Sequence, residues 1–86
     1  MEICKGIKDK NIKEVLNVIA YTSRDLNKLY QIEGKEQTVL HYASSHSSKE
    51  IVELLLRNGC NIEIHDEDEC KPLERALIAN NVIDFY

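Results

Sequence analysis

Apolar residues fall in helix-length stripes separated by short polar turns. The clearest stripe is Ile51, Val52, Leu54, Leu55 and Leu56, behind Ser47 and Glu50. A Ser with a Glu three residues later reads as a capping box, so the pattern predicts a helix from about residue 48. Gly59 is placed to end it, because glycine adopts the left-handed backbone without steric penalty. Asn11 and Glu14 open a similar stretch through Val15, Leu16, Val18 and Ile19. A shorter helix is predicted after Thr38, a good N-cap, with Leu40 and Ala43 on one face. Another is predicted after Lys71, with Pro72 at the first helical position and Leu73, Ala76 and Leu77 on one face. The polar stretches 33–37 and 65–69 read as turns.

These elements repeat. Leu40 and Leu73 are 33 residues apart, as are Ala43 and Ala76, Glu33 and Asp66, and Ser47 and Asn80. A weaker copy, Asn11 to Ile19, matches Ser47 to Leu55 at an offset of 36. Three additional residues therefore separate the first two copies, and Thr22-Ser23-Arg24-Asp25 is the expected place for them. Each copy reads as helix, turn, helix and a hairpin-like excursion. One such unit cannot bury both faces alone, whereas stacked copies can.

Composition narrows the class. The 86 residues are 43% hydrophobic and 30% charged, with one Pro and three Gly. That balance suits a small folded domain and favours helices over a β-sandwich. Residues 1–43 carry seven basic and six acidic side chains, and residues 44–86 four and nine. No basic face for nucleic acid is visible, and the acidic half would attract a basic partner. No apolar run reaches the roughly 20 residues that span a bilayer, and the first residues lack the apolar core of a signal peptide. Neither nucleic acid nor membrane is expected as a partner, and cytoplasm is the default location. Cys4, Cys60 and Cys70 are widely spaced and odd in number, which argues against a disulfide framework.

The segment Thr38-Val39-Leu40-His41-Tyr42-Ala43, followed by Lys49-Glu50-Ile51-Val52-Glu53-Leu54-Leu55-Leu56-Arg57-Asn58-Gly59-Cys60-Asn61-Ile62, resembles the ankyrin repeat. The resemblance implies an all-α, ankyrin-type solenoid of stacked helix-turn-helix units with hairpin-like loops. The units would be about residues 1–32 (a degenerate cap), 33–65 and 66–86 (truncated). Departures from the family pattern are Glu36 and Glu69 at the turn glycine, Glu74 in place of His, and Lys71 in place of the Thr cap. The family uses the His at position 41 for a hydrogen bond between repeats.

Candidate chemistry is sparse. His41 as a base or metal ligand competes with a structural role, and the structural role is favoured. His65 and Cys70 supply two local ligands where a structural zinc site wants four, so no metal is expected. No nucleophile elbow or phosphate loop is present, and neither catalysis nor a cofactor is expected. Cys60 reads as a small apolar residue. The run Asp66-Glu67-Asp68-Glu69 reads either as a solvated turn or as an acidic fingertip that selects a basic partner.

By resemblance, the function is protein–protein interaction through the hairpin tips and the inner helix face. That surface would include Lys35, Gln37, Ser45 and His46, extended by Glu67, Asp68 and Cys70. The alternative is a structural or capping part of a longer array. The apolar end Val82-Ile83-Asp84-Phe85-Tyr86 would then meet further repeats, or support self-association.

Overall fold

A computed structural model of the chain describes residues 2–21, 25–46 and 49–79. The described residues form helices α1 (Glu2–Lys8), α2 (Ile12–Tyr21), α3 (Val39–His46), α4 (Lys49–Arg57) and α5 (Pro72–Ile78). Strands β1 (Tyr30–Ile32) and β2 (Lys35–Gln37) form an antiparallel pair between α2 and α3. The expected all-α architecture is therefore corrected: the chain is mostly helical, with a small two-stranded sheet.

Helix α1 was not legible as an element, yet its reason is plain. Ile3 and Ile7 lie one turn apart, and both are buried. Gly6 lies between them against α2. A Cβ there would sit 3.0 Å from the Val15 Cγ2, so the absent side chain allows the close approach. The turn into α2 closes through Lys10 N–H to the Ile7 carbonyl at 3.1 Å and Asn11 N–H to the Gly6 carbonyl at 2.9 Å. Lys10 takes the left-handed conformation, φ 56°. Asn11 then caps α2, its side-chain oxygen accepting the Glu14 N–H at 3.1 Å.

Helix α3 packs against α1, α4 and α5, and α4 also packs on α2. Val39, Leu40, Tyr42, Ala43, Ile51, Val52 and Leu55 are all buried in the shared core. Thr38 caps α3 as its sequence suggests, accepting the His41 N–H at 3.3 Å. Ser47 lies outside the described residues, so the capping box expected at α4 does too. The C-terminus of α4 closes as expected. Gly59, φ 93°, donates to the Leu56 carbonyl at 3.2 Å, and Cys60 N–H to the Leu55 carbonyl at 3.2 Å. The third copy departs from the pattern. Pro72 and Ala76 are buried, but Leu73 is 44% exposed and Leu77 71% exposed. Lys71 gives α5 no side-chain cap; the Glu74 carboxylate instead accepts the Lys71 backbone N–H at 3.0 Å.

The hairpins locate the three additional residues. Asp25 accepts the Asn27 N–H at 2.9 Å, and Asn61 accepts the Glu63 N–H at 2.8 Å, the same turn at an offset of 36. Tyr30 then pairs with Gln37, whereas Asp66 N–H pairs with the Cys70 carbonyl at 2.9 Å. Six residues lie between the first pair and three between the second. The insertion therefore lies in the first hairpin and not at residues 22–25 as the sequence suggested. Its tip is Glu33-Gly34, both left-handed at φ 50° and 80°, a two-residue turn that matches strand twist. Glu36, expected at a turn-glycine position, lies instead within β2.

Candidate partner-binding surface

The longer hairpin stands beside the C-terminal end of α3 and encloses an open groove of about 270 Å³. Glu33, Lys35, Gln37, Ser45, His46 and Arg75 line it. Four of these, Lys35, Gln37, Ser45 and His46, are residues singled out in the sequence. Gln37 is buried, and its side-chain N–H donates to the Ile32 carbonyl at 3.2 Å, which braces the hairpin. Ser45 is half-buried and His46 exposed. The His46 ring stacks on Tyr42 at 4.5 Å between centroids. Its Nδ1–H donates to the Tyr42 carbonyl at 3.1 Å, so in the neutral ring Nε2 carries the lone pair. Tyr42 itself is buried against the core. Burial, with the Glu33 carboxylate beside the hydroxyl, pushes its pKa up to about 12.

The acidic run is neither a wholly solvated turn nor a free fingertip. Asp66 is 3% exposed and accepts backbone N–H groups of Asp68 at 2.9 Å and Cys70 at 3.0 Å. Arg75 Nε donates to its carboxylate at 2.5 Å. Burial alone would raise the Asp66 pKa; the Arg75 bond and the two N–H donors outweigh it and hold it below the usual carboxylate range. Asp68 accepts from Lys35 at 2.5 Å and from Arg75 at 2.7 Å. A chain of charges, Lys35–Asp68–Arg75–Asp66, thus ties the first hairpin to the second and to α5. Glu67 N–H donates to the Glu36 carbonyl at 3.1 Å, and Glu36 N–H donates to the Glu67 carboxylate.

The remaining charge is one-sided. The two cations Lys35 and Arg75 are balanced by Asp66 and Asp68. Glu33, Glu36, Glu67 and Glu69 are exposed on the same two hairpins, with Lys8 3.8 Å from Glu33. Sequence reasoning missed Arg75, which anchors this arrangement. Its signal was an arginine nine residues after Asp66.

His41 is fully buried on α3. Its Nε2–H donates to the Cys70 carbonyl at 2.8 Å, and Nδ1 lies 2.6 Å from the Thr38 hydroxyl. Burial lowers its pKa, so the ring is neutral with Nε2 protonated. This is the bond between repeats that the resemblance implied. Cys70 is half-buried and does not line the groove; its Sγ lies 3.8 Å from the Asp68 carbonyl. Burial pushes the Cys60 thiol up to about 12. Among the described residues no group of three or more His, Cys, Asp or Glu is arranged to hold a metal ion. None of the described helices is long and apolar enough to cross a membrane.

Two helix pairs and a further helix, α5, succeeding one another at offsets of 36 and 33 residues with hairpins between them, define a helix-turn-helix repeat protein. The family model for ankyrin repeats, in three copies, matches residues 3–85. The chain belongs to the ankyrin-repeat family. Its repeats are generally protein–protein interaction modules, and the family is generally non-enzymatic.

Proposed function

We propose that this chain binds a protein partner in the groove between its long hairpin and α3, and that the partner presents basic side chains. The observation that carries this reading is the groove itself, whose lining includes the exposed Glu33 carboxylate while its cations Lys35 and Arg75 are already paired. Glu33, Glu36, Glu67 and Glu69 would draw a basic segment towards the hairpins. The His46 ring, held flat on Tyr42, offers its outer face to a guanidinium or an aliphatic stem. Ser45 and the His46 Nε2 lone pair supply acceptors within the groove. Lys35, Asp68 and Glu67 form the adjoining edge. Cys70 contributes through its backbone, by anchoring His41.

A displayed-peptide library selected against the wild-type chain tests the reading. Selected sequences should be rich in Arg and Lys and should bind more weakly as salt rises. They should lose binding to a Ser45→Arg variant, whose side chain fills the groove. Sequences without a basic bias, or indifferent to Ser45→Arg, would remove the groove from the reading.

A further inference from the structure

Gln37 gives the groove a chemical preference. The residue is 7% exposed and lines the groove beside Lys35, two positions before it on the same face of β2. Its amide nitrogen donates to the Ile32 carbonyl at 3.2 Å, and a carbonyl only accepts, so this bond fixes which end of the amide is oxygen. The other end, Oε1, has no hydrogen-bond partner among the described residues. No enclosed side-chain nitrogen or oxygen among those residues lacks a partner, so Oε1 is open to the groove that Gln37 lines. A nearly buried acceptor is thus held in place through its own nitrogen with its lone pairs unspent.

The rest of the lining adds acceptors and little free positive charge. The half-buried Ser45 hydroxyl makes no bond among the described residues. His46 Nδ1–H is committed to the Tyr42 carbonyl, and the ring lies on Tyr42 at 4.5 Å between centroids, so its other face is open. Lys35 and Arg75 are neutralised by Asp66 and Asp68, which leaves the Glu33 carboxylate, with Lys8 at 3.8 Å, as the remaining charge of the lining.

On the reading that the groove is the binding site, we infer that it takes a single arginine side chain of the partner and prefers it to lysine. A groove of about 270 Å³ suits one long side chain and falls below small-molecule pockets of roughly 300–1,000 Å³. A guanidinium is planar, donor-only and weakly hydrated. Stacked on the open face of His46, it presents five N–H donors in its own plane to a lining of acceptors. An ammonium holds three donors at one point, keeps its hydration more tightly and has no plane to stack. It answers the charge of Glu33 and leaves the ring face and part of the acceptor set unmet. A site whose desolvated polar atoms need donors discriminates against an occupant that leaves them unmet.

Titration of the isotopically labelled full chain, followed by proton–nitrogen correlation NMR, tests the preference with three probes: acetyl-arginine, acetyl-lysine and acetyl-citrulline methylamides. Lysine keeps the charge and loses the plane, whereas citrulline keeps the plane and loses the charge. Arginine should shift the Gln37 side-chain amide and the Ser45 and His46 backbone signals, with a dissociation constant in about the millimolar range. Lysine should bind about tenfold more weakly at the same signals, and citrulline more weakly still. The wild-type comparison needs no variant. Gln37→Met removes Oε1 together with the bond to Ile32, and His46→Ala removes the plane at an exposed position outside the hairpin. Each should weaken arginine about fivefold and leave lysine unchanged. Lysine or citrulline binding as well as arginine would overturn the inference and leave the groove standing as a site, as would an arginine preference that survives His46→Ala. No shift in the groove with either cation would overturn both the inference and the groove's role.

Discussion

Replacing Asp66 by Asn removes one charge and almost no volume, and so isolates what the carboxylate does. The side chain is fully buried and meets Arg75 Nε at 2.5 Å, while Arg75 keeps 15% of its side-chain exposure. The Asn oxygen can still accept the Asp68 and Cys70 N–H groups, but its NH₂ would face the guanidinium, donor against donor. Breaking a buried ion pair from one side costs about 3–5 kcal/mol. Arg75 retains Asp68 on its solvent side, which lowers the expected loss to about 2–3 kcal/mol. Asp66→Ala also orphans the two backbone N–H groups, adding about 1–2 kcal/mol.

Urea unfolding followed by far-UV circular dichroism measures this. A domain of this size has roughly 4–13 kcal/mol in total. With a slope of about 1–1.5 kcal/mol per molar urea, Asp66→Asn should lower the midpoint by about 2 M. A double-mutant cycle with Arg75→Met should return most of the loss as coupling between the two residues. The acid limb gives a second readout. The Asp66 pKa is lower in the folded chain than in the unfolded one, so its contribution is full above the unfolded value near 3.9 and is lost as pH falls through the folded value. Asp66→Asn should flatten the stability profile in that window. If Asp66→Asn unfolds within about 0.5 kcal/mol of the wild type, the carboxylate is not the buried partner of Arg75 and the reasoning fails.

Three further perturbations follow from the geometry. Glu69 holds φ 63° at the position of the family's turn glycine. Relief of about 1–2 kcal/mol of left-handed strain exceeds the entropy that glycine adds to the unfolded chain, so Glu69→Gly should gain about 0.5–1 kcal/mol. A thermal midpoint that falls instead would contradict it. The Asn27 side chain donates to the Gly59 carbonyl at 3.0 Å and accepts the Asn61 N–H at 2.7 Å, clasping successive loops. Asn27→Ala should cost about 1–2 kcal/mol, and an unchanged urea midpoint would show the clasp to be idle. His41 is buried neutral with a lowered pKa, so the unfolded chain takes up its proton first as pH falls below about 6.5. Stability should therefore decline between pH 7 and 5, and this component should vanish in His41→Gln; a profile identical in both proteins would rule out His41 as its source.

The middle repeat was legible because its local signals agree with one another. Thr38 caps, Leu40 and Ala43 share a buried face, and Gly59 closes α4 in the left-handed conformation that the sequence suggested. The first helix escaped notice because Gly6 stands where the later copies have Ala43 and Ala76. Ile3 and Gly6 repeat the three-residue spacing of Leu40 and Ala43, and Leu73 and Ala76. That spacing was the available signal. The exposure of Leu73 and Leu77 was hidden for a different reason: helical periodicity says which residues share a face, and it cannot say whether a neighbour covers that face.

The candidate site was legible in membership and illegible in electrostatics. Lys35, Gln37, Ser45 and His46 converge on one groove, yet four consecutive acids gave no hint that the first, Asp66, turns inward. The turn itself decides this. Asp66 begins it, and its carboxylate accepts N–H groups two and four residues later, which aims the side chain into the fold where Arg75 meets it. Glu67 and Glu69 face outward by the same geometry. The insertion into the first hairpin then sets the reach of the opposite wall. Without those residues β2 would shorten, Lys35 would not arrive at Asp68, and the groove would lose the side formed by Glu33 and Lys35. What distinguishes the first hairpin from the second is therefore carried by three residues whose presence the offset of 36 revealed and whose position only hairpin pairing could assign.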